Sequence, residues 1–289
     1  MKFEDMINTI QLGNCYELIK DIPDKSIDLV YIDIPYLYVQ GGCSNSELSK
    51  RTTKKRITLM GANDKYVESV LNNNSAKEAL RIAKNKAKND KDIVDIQSGI
   101  DYSILDELNR VMKRIYIYIW CSKNQILDLM NYYVKDKNCI FEIFTWHKTN
   151  PTPTHNNCYP PDTEYCLLFR EKGTGMGGTM ETLKKWYVSP ANVGDKKLYN
   201  HPTIKPLEVV KNHIINSSKE NDIVLDCFCG SGTTCVACKE TGRRYIGMEI
   251  DKEYWKIANN RINGIEASGQ MTIMFDDKGN VMLGDDINE

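Results

Sequence analysis

The chain predicts an α/β fold, a mainly parallel sheet with helices on both faces. Three observations carry this. Six apolar runs of strand length punctuate the sequence, at 27–33, 115–120, 139–146, 164–169, 222–226 and 245–250. Stretches with helical spacing of apolar residues lie between several of them. Two of the runs end in short motifs rich in acid, Gly or Pro, and in such sheets ligands bind beyond the C-terminal ends of the strands.

Each element has its own signal. The run at 27–33 is bounded by the polar Asp24-Lys25-Ser26 and by Pro35. Ile104, Leu105, Leu108, Val111 and Met112 follow helical spacing after Ser103, a candidate N-cap. Residues 123–134, 205–217, 232–241 and 251–263 read as helices for the same reason. The runs at 115–120, 139–146, 164–169, 222–226 and 245–250 are apolar enough for strands covered on both faces. Near the end, residues 271–275 and 281–283 flank Asp-Asp-Lys-Gly-Asn and predict a hairpin in a tail spanning 264–289. Residues 1–263 read as a single catalytic domain. Two stretches interrupt its alternation: a polar, Asn/Lys-rich insertion at 40–98, and a short segment at 171–200 that begins Gly-rich.

Composition narrows the function classes. At 289 residues with 41% hydrophobic content, a substantial core is feasible. No run approaches the roughly 20 apolar residues of a membrane helix. The polar start, Met1-Lys2-Phe3-Glu4-Asp5, lacks a secretion signal's apolar segment. A cytoplasmic protein with no membrane association is expected. Ten scattered cysteines then read as reduced thiols. Cys235 and Cys238 have CxxC spacing, but no second ligand pair accompanies them, so no metal site is expected. The net charge is −1, yet residues 50–91 carry twelve Lys or Arg against four acids. Phosphate contact requires such a local patch, and a solvated insertion has the same composition.

The run at 222–226 ends in Asp226-Cys227-Phe228-Cys229-Gly230-Ser231-Gly232-Thr233-Thr234. Strand, acid, Gly-rich turn and helix start coincide here. The next strand ends in Glu249, 23 residues after Asp226, suitably placed to accept hydrogen bonds from ribose hydroxyls. Neither a dinucleotide Gly-x-Gly-x-x-Gly nor a phosphate-loop Gly-Lys-Ser/Thr is present. The run at 27–33 ends in Asp33-Ile34-Pro35-Tyr36. Further along stand His201-Pro202-Thr203-Ile204-Lys205-Pro206, Gly13-Asn14-Cys15, Trp146-His147-Lys148-Thr149-Asn150-Pro151 and Asp162-Thr163-Glu164-Tyr165.

In this order the motifs resemble those of DNA amino-methyltransferases of the permuted class often called beta. There Asp-Pro-Pro-Tyr precedes His-Pro-Thr-x-Lys-Pro and Asp-Pro-Phe-x-Gly-Ser-Gly-Thr-Thr. The resemblance covers nearly the whole chain except the insertion and the last twenty-odd residues. It implies a Rossmann-like, circularly permuted S-adenosylmethionine-dependent methyltransferase fold with a seven-stranded sheet. It also implies that Asp226, Phe228, Gly230, Ser231, Gly232, Thr233, Thr234 and Glu249 hold the cofactor. Asn14 and Cys15 would lie at its adenine, and Lys205 with Thr203 at its methionyl carboxylate.

The chemistry explains the amine-site residues. An exocyclic base amine is a poor nucleophile because its lone pair is delocalised into the ring. The Asp33 side chain and the Ile34 carbonyl would accept its two hydrogens, and Tyr36 would stack on the flipped base. Ile34 stands where the family usually has Pro, so an extra N–H must find a partner. Cys227 replaces the other usual Pro.

The resemblance implies direct methyl transfer to double-stranded DNA without a thiol nucleophile, with adenine N6 favoured over cytosine N4. RNA or protein amines, and a degenerate DNA-binding homologue, are the rival readings. Lys54, Lys55, Arg56, Trp146, Lys148 and Asn150 are the candidate DNA contacts. In this class a recognition region commonly stands where residues 171–200 lie here, and the basic insertion at 40–98 is a further candidate for DNA contact. So small a recognition segment leaves a homodimer or a short target open, and the class allows a cognate restriction enzyme.

Overall fold

The computed structural model describes residues 2–37, 99–151, 159–191 and 204–265, with two short stretches at 274–275 and 281–282. The chain divides into two compact units. Met1–Ile34, Asp101–Thr152 and Pro161–Glu289 form the first, and Pro35–Ile100 with Pro153–Pro160 form the second. The expected insertion at 40–98 lies outside the described residues.

An eight-stranded sheet organises the first unit. Its strands are β1 (Thr9–Leu12), β2 (Leu29–Asp33), β3 (Tyr116–Cys121), β4 (Ile140–Lys148), β5 (Thr163–Arg170), β6 (Trp186–Ser189), β7 (Ile223–Asp226) and β8 (Arg244–Glu249). Their order in space is β1-β8-β7-β2-β3-β5-β4-β6. From β1 to β3 all neighbours run parallel. β5 runs against both β3 and β4, and β6 is parallel to β4.

Eight strands stand where seven were expected. All six apolar runs are strands. The two unforeseen ones, β1 and β6, are four-residue edge strands with a single buried residue each. An edge strand with one half-exposed face shows no continuous apolar run.

The helices are α1 (Phe3–Met6), α2 (Cys15–Leu18), α3 (Ile104–Val111), α4 (Ile126–Met130), α5 (Leu207–Ser217), α6 (Thr233–Glu240) and α7 (Lys252–Ile262). A π-helical turn, Asn131–Asp136, extends α4. Ser103 occupies the N-cap position of α3, but its side chain makes no capping bond. Asp101 Oδ1 instead accepts the Ser103 N–H at 3.0 Å. The hairpin expected near the end is present as an antiparallel pair, Met274–Phe275 with Val281–Met282.

Helices cover both faces of the sheet. On one, Leu29, Tyr31, Tyr118, Trp120 and Val224 pack with Val209, Val210 and Ile214 of α5 and Ala237 and Cys238 of α6. Alternate residues such as Ile32, Ile117 and Ile119 are buried on the other, where Tyr133 stacks on Phe169 with 4.6 Å between ring centroids. A polar thread crosses the first core. Trp120 Nε1–H donates to the Tyr31 hydroxyl at 2.9 Å, and that hydroxyl lies 3.1 Å from His213 Nδ1. Burial brings the His213 pKa down to about 3, so the ring is neutral. An indole N–H can only donate, so Tyr31 passes its own proton toward Nδ1. This fixes the Trp120 ring beneath the sheet's C-terminal edge.

Candidate active site

Because β1, β8, β7 and β2 are parallel, their last residues reach one edge of the sheet. Asp33 ends β2, Asp226 ends β7, Glu249 ends β8, and Asn14 follows β1 by two residues. The register pairs Val30 with Leu225 and Asp226 with Gly247. Asp33 and Glu249 therefore project about two residues beyond the level of Asp226, on either side of it. Adjacent strands are about 4.8 Å apart, so three carboxylates share a small volume.

The loop after β7 is held from several directions. Asp226 Oδ1 accepts the Phe228 N–H at 3.0 Å. Burial raises the Asp226 carboxyl to about 7, against the hydrogen bonds from Thr234 and Phe228. Glu249 Oε2 accepts the Gly230 N–H at 2.8 Å and Oε1 accepts the Asp251 N–H at 2.8 Å. Burial pushes the Glu249 carboxyl up, and those donors pull it back. Each carboxylate oxygen can take a second hydrogen bond, so bracing the loop leaves capacity for a ribose hydroxyl. Gly230 and Gly232 have φ of 51° and 78°, a backbone that side chains rarely adopt. At Gly232 a Cβ would also lie 3.0 Å from the Ala258 Cβ.

Sequence reasoning missed Arg261. This buried residue of α7 donates from Nη1 to Thr233 Oγ1 at 2.7 Å and lies 3.4 Å from the Ser231 carbonyl oxygen. It pins the loop to the helix that follows it by twenty residues. In the sequence it reads as an ordinary basic residue at a helix C-terminus.

Asn14 caps α2, its Oδ1 accepting the Tyr16 N–H at 3.0 Å. Gly13 donates its N–H to the Glu249 carbonyl at 2.9 Å, which ties this segment to β8. Cys15 is buried and hydrogen-bonded to Cys227, which lowers the Cys15 pKa while burial raises that of Cys227. The two residues thus pack together beside the loop. Cys235 and Cys238 are buried in α6.

On the amine-site side, Ile34 is buried and donates its N–H to the Trp120 carbonyl at 3.3 Å. The donor that Pro would lack has found a partner. Pro35 and Tyr36 continue the chain into the second unit. Lys205 was expected at the cofactor's carboxylate. Its ammonium forms an ion pair with Asp33, lies 3.3 Å from Glu164 Oε2, and sits 5.3 Å from the Trp120 ring centroid. Burial would lower the Lys205 pKa, but the two carboxylates outweigh it and hold the ammonium charged. Burial would raise Glu164, but Lys205 and Lys148 bring it down to about 2. Thr203 lies outside the described residues.

The candidate DNA contacts fare differently. Lys54, Lys55 and Arg56 lie outside the described residues. Trp146 is a core residue, 2% exposed, with Nε1–H donating to Ser189 Oγ at 2.8 Å. Lys148 is ion-paired with Glu164, and Asn150 Oδ1 accepts the Ala191 N–H at 2.6 Å.

Acid-ended parallel strands with a Gly-rich turn after β7 define a Rossmann-like nucleoside-binding fold. The chain belongs to the N6/N4 family described as DNA methylase, whose model matches residues 27–260. It is a DNA amino-methyltransferase, and S-adenosylmethionine is its cofactor. It is 27% identical over 264 residues to the type II methyltransferase M2.LlaDCHI of Lactococcus lactis subsp. cremoris, with 87% of each chain covered. It is 27% identical over 281 residues to M.HinfI of Haemophilus influenzae, covering 91% of this chain and 70% of that one. In fold it is similar to M1.HpyAVI in complex with S-adenosylmethionine, with a TM-score of 0.55, 21% identity, and 88% and 98% of the two chains covered. It is also similar to the cytosine-N4-specific PvuII methyltransferase, with a TM-score of 0.57, 14% identity, and 87% and 85% covered.

Proposed function

We propose that this protein methylates the N6 amine of adenine in double-stranded DNA by direct in-line transfer. One observation carries the reading: Asp33 of the amine-site motif and Asp226 of the cofactor loop end neighbouring parallel strands. Amine and methyl donor are thereby held at one sheet edge, where orientation supplies much of the acceleration. Bound S-adenosylmethionine supplies an electrophilic methyl group. The residues that would hold it are Asn14, Asp226, Phe228, Gly230 to Thr234 and Glu249. The positive-φ glycines and the buried acids fit a nucleoside-bearing ligand.

The chain's own residues prepare the amine. Asp33 accepts one of its hydrogens and the Ile34 carbonyl accepts the other, which draws nitrogen toward tetrahedral geometry. The Ile34–Trp120 hydrogen bond ties the Asp33–Ile34 peptide to β3, one residue's backbone before that carbonyl. Tyr36 stacks on the extruded base. Adenine is favoured because in the family an Asp at the motif start leans toward adenine and a Ser toward cytosine.

The test is transfer of labelled methyl to unmethylated genomic DNA, followed by nucleoside mass spectrometry, with Asp33→Ala as control. N6-methyladenine from wild type alone is expected. N4-methylcytosine would keep the mechanism and correct the base. Unlabelled DNA from a folded, cofactor-binding protein would overturn the reading.

A further inference from the structure

Four charged side chains form an alternating row along the sheet edge: Lys148, Glu164, Lys205 and Asp33. Lys148 pairs with Glu164 Oε1, Glu164 Oε2 lies 3.3 Å from Lys205 Nζ, and Lys205 pairs with Asp33 Oδ2. The row has no net charge. Each lysine of the row also lies on an indole: Lys148 Nζ is 5.2 Å from the Trp146 ring centroid and Lys205 Nζ is 5.3 Å from that of Trp120.

The topology explains how Glu164 arrives. β5 is the one reversed strand in the sheet, so it brings its first residues, not its last, to the active edge. Cys121 at the end of β3 pairs with Tyr165, and Trp146 of β4 pairs with Glu164. Glu164 thus stands between the ends of β3 and β4, and Lys205 enters from the segment before α5.

We propose that Glu164 is a positioning residue for methyl transfer, acting through Lys205 to set how tightly the Asp33 carboxylate is held. This rests on the assignment of Asp33 as acceptor of the substrate amine. An ammonium bound to Asp33 alone would draw on both of its oxygens and compete with the amine. Glu164 divides the attraction of Lys205, and Lys148 in turn divides that of Glu164. Asp33 stays ionised and aimed while keeping acceptor capacity for its substrate. Among the described residues, the groups that face Asp33 include Lys205 with Glu164 behind it, Asp226 on β7, Cys121 on β3, Cys166 on β5 and Tyr31 on β2.

The full-length variants Lys205→Gln, Glu164→Gln and the double variant test this. Glu164→Gln leaves Asp33 beside Lys205, and Lys205→Gln leaves Glu164 beside Lys148 with Asp33 partly exposed to water, so folding is expected to survive. Carbon-13 NMR titration of the Asp33 carboxyl, assigned by Asp33→Asn, needs no turnover. Lys205→Gln removes a cation, so the Asp33 midpoint rises. Glu164→Gln leaves Lys205 wholly on Asp33 and removes a nearby negative charge, so the midpoint falls. Both singles lower kcat about 10- to 100-fold, the scale of a misplaced catalytic contact. Glu164→Gln leaves S-adenosylmethionine affinity within about twofold. In the Lys205→Gln background it adds no further loss, because it acts only through Lys205.

Opposite midpoint shifts with non-additive kcat losses support the proposal, and a merely structural role would not produce them. An unmoved Asp33 midpoint in Lys205→Gln, wild-type kcat in Glu164→Gln, or additive losses would overturn it. Opposite midpoint shifts in the two variants, beside a wild type that methylates no DNA, would keep the row and overturn the proposed function instead.

Discussion

The Ile34 backbone N–H donates to the Trp120 carbonyl at 3.3 Å, one residue past the end of β2. The β2–β3 ladder therefore runs into the amine-site motif itself. A Pro at this position, as in the family's usual motif, would fix φ through its ring. Here a hydrogen bond to a buried neighbour supplies the order.

Ile34→Pro tests this. The substitution removes the donor, strands the Trp120 carbonyl, and deletes a buried branched side chain. Stability should fall by about 1–3 kcal/mol, read by denaturant unfolding. Methyl transfer should persist in the folded fraction, because the carbonyl that faces the amine remains. Complete loss of activity in a folded variant would mean that Ile34 does more than orient its peptide.

Asp226 predicts a pH dependence of stability. Its usual value is 3.8, and burial raises it to about 7 in the folded protein. Between those values the native state keeps a proton that the unfolded state releases. Stability therefore declines as pH rises from about 4 to 7 and is flat for this group above that. Asp226→Asn keeps an acceptor for the Phe228 N–H and has nothing to titrate. Its melting temperature should gain on the wild type between pH 5 and 8. A pH-independent difference would show that Asp226 ionises in the fold as it does in the open chain.

Arg261 predicts the importance of loop bracing. Arg261→Met keeps much of the stem and removes the donors to Thr233 and Ser231. Cofactor affinity measured by calorimetry should weaken about tenfold, equivalent to about 1.4 kcal/mol. Stability should fall as well, because the Thr233 hydroxyl loses its partner inside the protein. Unchanged affinity would mean the glycine turn holds its shape without the arginine.

What was legible in the sequence follows from burial. Strands covered on both faces, such as Tyr116–Cys121, appear as unbroken apolar runs. β6 did not, because Trp186 and Val188 are exposed at the sheet's edge. Strand direction was not legible either: Thr163–Arg170 reads the same whichever way it runs, yet its reversal brings Glu164 to the active edge. Local motifs disclosed Asp33, Asp226 and Glu249, since each ends an apolar run. Lys205 was visible as a candidate, but its partners were not, because Asp33 lies 172 residues away in sequence. The helix start at Ile104 was legible while its cap was not, since Asp101 and Ser103 are both plausible capping residues and only geometry separates them.

The cysteines give the last prediction. A thiol at the cofactor loop invites a covalent route, and Cys15 is the candidate, since Cys227 lowers its pKa and both residues adjoin the loop. Yet Cys15 is buried, and the feature that lowers its pKa most is a hydrogen bond within a packed pair. Cys229 is raised, first by its hydrogen bond to Cys235 and then by burial, which disfavours a thiolate there. Direct transfer between sulfonium and amine requires neither. Cys15→Ser and Cys229→Ser keep a small hydrogen-bonding side chain in each place. Both should retain labelled-methyl transfer to DNA within about threefold, a change of under 1 kcal/mol in the barrier. Abolished transfer in a folded variant that still binds cofactor would refute the direct route and put a thiol on the reaction path.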